Sequence, residues 1–216
     1  ITPAMPTGCS MNILGKEFPK RVFDVGIAEG HAVTFSAGLA KTGYIPVIPL
    51  YSSFQQRAYD QALHDVCLQN LHVVFPVDRA GIVGADGETH QGVYDISYLS
   101  TMPNMTVLSA SSFGQLDSML RYAINEHNGP IAMRYPRGNT ETSFDTSDFE
   151  LGKAYTRKEG NDVLIVASGR MLKRAEEIAD ILEAKGVSVR ITELPTIYPL
   201  NEDAIISASE NVKLVI

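Results

Sequence analysis

Apolar residues recur along this chain in two rhythms. Short apolar runs at 21–25, 45–50, 72–77, 105–109 and 131–135 have the length and composition of strands. Between them, longer segments place apolar residues three and four apart, the spacing of one helix face. Tyr59, Ala62, Leu63, Val66 and Cys67 make one such stripe, and Phe113, Leu116, Leu120, Ala123 and Ile124 another, so both predict core-facing helices. Strands alternating with helices predict an α/β fold with a parallel sheet. A helix over 28–41 is predicted to end where Gly43 offers a left-handed cap, and Gly129-Pro130 closes the helix before the last strand of this unit.

The pattern gives way to Asn, Thr, Ser and Asp over 138–152, which is the signature of a linker. It resumes with a strand at 162–167, an amphipathic helix at 172–185 closed by Gly186, a strand at 187–192 and a third strand at 212–216. The expected organisation is one α/β domain over 1–137, a linker over 138–152, and an incomplete second α/β domain over 153–216. Three strands bury a parallel sheet poorly, so the second domain is expected to be truncated or covered by another chain.

Composition narrows the function classes. With 44% hydrophobic and 20% charged residues, the 216-residue chain has the balance of an ordinary folded enzyme rather than of a disordered or disulfide-rich protein. A formal charge of -7 excludes a broad cationic face, so neither nucleic acid nor a membrane surface is expected as a partner. No apolar run approaches the ~20 residues that cross a bilayer, no signal-peptide blocks open the sequence, and a cytoplasmic location is the default. Cys9 and Cys67 are far apart and show no CxxC spacing, so no zinc site is predicted.

The chemistry-bearing residues sit where strands end. Glu29, in DVGIAE (24–29), opens a helix just past a strand, at the carboxyl edge where open α/β sheets bind ligands. Its alternative role is to complement the helix dipole, worth about 0.3–1 kcal/mol. YSSFQQRAYDQ (51–61) puts Tyr51, Phe54 and Arg57 at the same edge, where Phe54 offers a face for a flat heteroaromatic ring or a packing anchor. DRAGIVGADGETHQG (78–92) is a long glycine-rich loop of the kind that compact domains keep for function. Its glycines permit close backbone approach, His90 suits proton transfer, and Asp86, Glu88 and His90 also form a weak D-x-E-x-H metal pattern. Arg134 and Arg137 end the last strand of the first domain and, with Arg79, offer guanidinium forks for a phosphorylated ligand.

These blocks, with YPRGN (135–139), resemble in order and spacing the pyrimidine-binding domain of the 1-deoxy-D-xylulose-5-phosphate synthase family. The resemblance implies a parallel-sheet, transketolase-like domain that binds the ring end of thiamine diphosphate, followed by an incomplete transketolase C-terminal-type α/β domain. It implies that Glu29 hydrogen-bonds the aminopyrimidine and favours the imino form that removes the thiazolium proton. It places Phe54 on the ring with Tyr51 and Arg57 beside it, Asp86 and His90 at the reaction centre, and Arg79, Arg137 and Tyr51 at the substrate phosphate. The implied reaction condenses pyruvate with glyceraldehyde 3-phosphate, a step toward isoprenoids, thiamine and pyridoxal, in a homodimer. Gly30 departs from the larger polar residue common after the glutamate. No GDG motif is followed by an asparagine about thirty residues on, so Mg2+ and the diphosphate are expected on an N-terminal domain outside this chain, and the chain alone is expected to be inactive. A separately encoded half-transketolase or a 2-oxoacid dehydrogenase β-like subunit is the competing reading.

Overall fold

The computed structural model describes residues 1–138 and 142–216. The chain forms two compact units, one of residues 1–107 with 121–137 and one of residues 108–120 with 138–216. Part of the 138–152 segment, including Asn139 of the YPRGN block, lies outside the described residues.

In the first unit, helix α1 (Met11–Glu17) buries none of its residues, whereas α2 (Glu29–Lys41) buries Glu29, Ala32, Val33, Ser36 and Ala37. That spacing is one continuous helical face, and small residues along it let neighbouring backbone approach closely. Glu29 is buried because it occupies the first position of this stripe. Strand β1 (Leu50–Tyr51) runs straight into helix α3 (Ser52–Gln55). The chain then coils through a 3-10 turn (Gln56–Ala58), helix α4 (Tyr59–Gln61) and a π turn (Ala62–Cys67), which is fastened to α2 where Thr34 donates to Asp65 at 2.5 Å. Strands β2 (Val74–Asp78), β3 (Thr106–Ser109) and β4 (Ile131–Arg134) follow β1 in a sheet of order β1-β2-β4-β3, with helices α5 (Asp95–Leu99) and α6 (Phe113–Asn125) between them in sequence; β3 beyond Val107 and α6 before Arg121 belong to the second unit. β1, β2 and β4 are parallel, with Tyr51 opposite Asp78 and Val77 opposite Arg134. Every residue of β3, and all of β2 except Pro76, is buried, as a sheet covered on both faces requires.

Two expected strands shrink for identifiable reasons. Over 21–25 the Asp24 carboxylate accepts from the Ala4 and Gly26 amides, so the segment turns, and its sheet contact is reduced to a single bridge between Thr2 and Asp24. Over 45–50, Pro46 and Pro49 carry no amide hydrogen, which leaves an isolated Val47–Val74 bridge and the two residues of β1.

The second unit has a sheet of order β5-β7-β6-β9, built from β5 (Tyr155–Lys158), β6 (Val163–Ala167), β7 (Val189–Glu193) and β9 (Leu214–Val215), with β8 (Thr196–Tyr198) outside it. β6 is parallel to β7 and to β9, and β5 is an antiparallel edge whose register shifts between Thr156 and Lys158. Helix α7 (Met171–Glu183) lays Leu172, Ala175 and Ala179 on Val163, Ile165, Val189 and Ile191. Helix α8 (Glu202–Ser209) is capped by Asn201, whose side chain accepts from the Ala204 amide at 3.0 Å. The β5 edge and β8 were not signalled by apolar runs, because Thr156, Arg157 and Lys158 make β5 largely polar.

Candidate active site

Parallel strands in register leave the sheet on one side, and that side of the first unit gathers the residues singled out above. Tyr51 and Asp78 face each other at the ends of β1 and β2, Arg79 follows at once, and Arg137 lies three residues past β4.

Glu29 is nearly enclosed, its side chain 7% exposed, and its Oε1 accepts a hydrogen bond from Nη1 of Arg57 at 2.8 Å. The Arg57 side chain is 56% exposed, and its guanidinium lies over the Phe54 ring, 5.1 Å from the centroid. One flat cation therefore touches both the acid and the aromatic face. Their separation of 28 residues on different helices gave no local signal of this pairing. At Gly30 a side chain would press on the Gln61 amide, 3.1 Å from a Cβ.

Phe54 stacks on Tyr51 at 5.4 Å and meets the His90 ring edge-on at 5.2 Å, while His90 lies 6.3 Å from Tyr51. This three-ring cluster follows from Tyr51 ending a strand and Phe54 standing one helical turn later. The His90 Nδ1 lies 2.9 Å from the Thr89 hydroxyl.

Arg79 adopts a left-handed backbone, φ 57, a conformation that L-residues avoid unless their surroundings hold them there. It is held: its amide and Nη1 both reach the Asp78 carboxylate, at 2.7 and 2.5 Å, and Nη1 also donates to the Gly8 carbonyl at 3.2 Å. Its guanidinium covers the Tyr51 ring at 4.2 Å. Asp86 lies between two arginines, with Arg79 Nε at 3.5 Å and Arg137 Nε at 3.3 Å. Arg79 Nε and Asp86 Oδ2, the buried atoms of the 3.5 Å pair, make no hydrogen bond, so the ion pair is a loose one. Asp86 faces arginines, and among the described residues no group of three His, Cys, Asp or Glu is placed to hold a metal.

Burial dominates the electrostatics. It pushes the Asp78 carboxyl above the usual aspartate range against the pull of Arg79. It also opposes the Arg79 charge, yet Asp78, Tyr51 and Asp86 outweigh it and hold the guanidinium above its ordinary value. The Tyr51 and Tyr135 hydroxyls are raised, and the Cys9 thiol is pushed up to about 12 by burial and Asp78, which makes it a poor nucleophile.

Three contributors escaped the sequence pattern. Asp78 anchors Arg79, Gly8 reaches the cluster from the start of the chain, and Tyr98 donates to the Ser52 carbonyl at 3.0 Å, supporting α3 from below. Arg134, by contrast, is turned away from a ligand role: it forks onto the buried Asp95 at 2.9 and 3.2 Å.

The chain matches known proteins along most of its length. Residues 1–142 match the transketolase pyrimidine-binding domain and residues 152–216 the transketolase C-terminal domain. The 1-deoxy-D-xylulose-5-phosphate synthase of Clostridium acetobutylicum is 49% identical over all of this chain, and that of Clostridium kluyveri 51% over 94% of it. The chain spans about a third of those relatives, 35% and 32% of their lengths. Among solved structures, a split-gene transketolase described as an inactive β4 tetramer superposes with a TM-score of 0.87 at 30% identity, covering all of this chain and 71% of the other. A Campylobacter jejuni transketolase shares the fold at 22% identity, with a TM-score of 0.77 over 89% of this chain and 31% of its own. Among the described residues no helix is long and apolar enough to cross a membrane. The chain belongs to the transketolase family, with the pyrimidine-binding domain followed by residues of the C-terminal domain.

Proposed function

We propose that this chain supplies the ring-binding half of a thiamine diphosphate enzyme, and that the complete enzyme condenses pyruvate with glyceraldehyde 3-phosphate to 1-deoxy-D-xylulose 5-phosphate and carbon dioxide. One observation carries the reading: buried Glu29 and the Phe54 face are arranged around a single planar, nitrogen-bearing group, the Arg57 guanidinium. An acid in line with a ring nitrogen and an aromatic face beneath it are what an aminopyrimidine needs. The residues present fit that end of the cofactor, which when bound supplies the carbanion chemistry of 2-oxoacid decarboxylation.

In this reading residues 1–137 form the pyrimidine-binding domain and residues 153–216 part of the C-terminal domain. Glu29 holds the ring nitrogen and moves a proton there, Phe54 supports the ring, and Tyr51 and Arg57 border it. Asp86 and His90 line the reaction centre, His90 carrying protons. Arg79 and Arg137, with Tyr51, hold the acceptor's phosphate. Asp86 keeps the two guanidiniums at one spacing until the doubly charged phosphate competes for them. In this reading magnesium and the diphosphate are held by a part of the enzyme outside this chain. A cytoplasmic homodimer completes the proposal.

The test is the complete enzyme given pyruvate, glyceraldehyde 3-phosphate, magnesium and thiamine diphosphate, with the product identified by mass. The isolated chain is expected to bind the cofactor weakly and turn over nothing, so tight stoichiometric binding by calorimetry would contradict the division of labour. A second reading, a separately encoded half-transketolase completed by another polypeptide, is favoured by the split-gene relative, most of which this chain covers. The mass of the native polypeptide separates the two.

A further inference from the structure

We infer that Gln91 is a positioning residue that fixes Asp86 and His90 against the acceptor-binding arginines; the inference rests on the function proposed above. The loop over 79–92 contains only two single turns, Gly84–Asp86 and Glu88–His90. Its neck is closed by a backbone pair, with the Gly81 amide donating to Gly92 at 2.6 Å and the Gly92 amide donating back at 2.8 Å. A Cβ at Gly92 would collide with the Arg79 carbonyl and Ser52, so the neck sits directly on the strand end. Inside the neck one side chain does the fastening. Gln91 Oε1 accepts from the Val83 amide at 2.9 Å, and Gln91 Nε2 donates to the Gly87 carbonyl at 2.8 Å.

Val83 and Gly87 are the residues immediately before and after the turn that carries Asp86. A primary amide of this length is suited to the task because it both accepts and donates; a carboxylate lacks the donor and an aliphatic chain lacks both. The same Gly87 carbonyl also receives the His90 amide at 3.4 Å, so the clamp locates both functional side chains. Asp86 depends on it for its distances of 3.5 Å to Arg79 and 3.3 Å to Arg137. Glu29 stands on α2 and Phe54 on α3, outside the loop. Loosening the clamp should therefore disturb the acceptor end and spare the ring end.

The experiment compares the complete enzyme with Gln91→Met, which keeps the length and removes both bonds, and Gln91→Glu, which keeps the acceptor toward Val83. Amide hydrogen exchange across 79–92 is measured alongside kcat, KM for glyceraldehyde 3-phosphate and affinity for thiamine diphosphate. The Val83 amide is expected to exchange slowly in the wild type, fast in Gln91→Met and slowly in Gln91→Glu. KM for the acceptor should rise about tenfold in Gln91→Met and less in Gln91→Glu, with cofactor affinity unchanged. A Val83 amide already fast in the wild type, exchange indifferent to Gln91→Met, or a change confined to cofactor affinity would overturn the clamp. A wild-type enzyme inactive on these substrates would remove the proposed function, while the exchange comparison would still decide the clamp. Should Gln91→Met fail to fold, Gln91→Ser, whose side chain is too short to reach Val83 or Gly87, takes its place, with fast Val83 exchange expected and unchanged exchange overturning the clamp.

Discussion

Two buried carboxylates, one in each unit, are treated in opposite ways by their surroundings. Glu193, at the end of β7, is fully enclosed, and both of its oxygens are engaged: Oε1 by the Ser111 hydroxyl at 2.6 Å and the Gln115 amide at 3.1 Å, Oε2 by Arg157 at 2.7 Å. Arg157 is itself only 10% exposed and is held further by Asp148 and the Asp145 carbonyl. Glu29 is buried almost as deeply, yet the cation on it is 56% exposed and lies over an aromatic ring. A buried charge needs partners, but their number and mobility are open to selection. The saturated acid holds a fold together. In the proposed function, the acid with one exposed partner exchanges that partner for the cofactor's ring.

The largest effect that would break this contrast is on activity. Glu29→Ala in the complete enzyme is expected to lower kcat by about 10²–10⁴-fold, the range of a lost proton-transfer group, with little change in thermal unfolding. Activity within tenfold of wild type would place Glu29 beside Glu193 as a structural acid.

Stability should rank the two units the other way. Arg157→Met leaves Glu193 buried without its cation and should cost about 3–5 kcal/mol of unfolding free energy, read from denaturant melts. Arg57→Met removes a cation that is mostly in water but leaves Glu29 buried without it, and should cost less, about 1–3 kcal/mol. Equal losses from the two arginine variants would mean that the Glu29 pair is as fixed as the other.

Which parts of this were legible in sequence follows from what local patterns encode. The helix over 28–41 was visible, with Glu29 at its start, and so was the placement of Tyr51, Arg79 and Arg137 at strand ends. The 21–25 run passed as a strand because Val22, Phe23 and Val25 are apolar, although Phe23 proves 42% exposed and Asp24 turns the chain. Partner choice was invisible. Nothing near Glu29 announces Arg57, nothing near Arg134 announces Asp95, and Gly8 reaches Arg79 across 71 residues. Periodicity reports which face a residue occupies. It is silent on which of several nearby charges will meet, since that depends on how separate elements pack.

A half-buried histidine sharpens the comparison at its weak end. His127 stands beside the His72 ring at 6.3 Å and the Tyr122 ring at 5.8 Å, and its buried Nε2 has no hydrogen-bond partner. Burial, and then His72, lower its pKa from the ordinary 6.5, against a backbone contact at Pro130. The unfolded chain therefore binds a proton that the folded chain refuses, so this histidine's contribution is full above pH 6.5 and is lost as pH falls toward the depressed folded value. Asp78 runs the other way: its raised folded pKa adds stability at low pH that is lost as pH rises through that value. The His127 share must be read as the difference between wild type and His127→Gln. Melts from pH 7.5 to 5.5 should show the wild type losing stability relative to the variant, by at most about 1.4 kcal/mol per pH unit. Parallel curves would mean that this imidazole keeps access to water, and that burial is not what sets its charge.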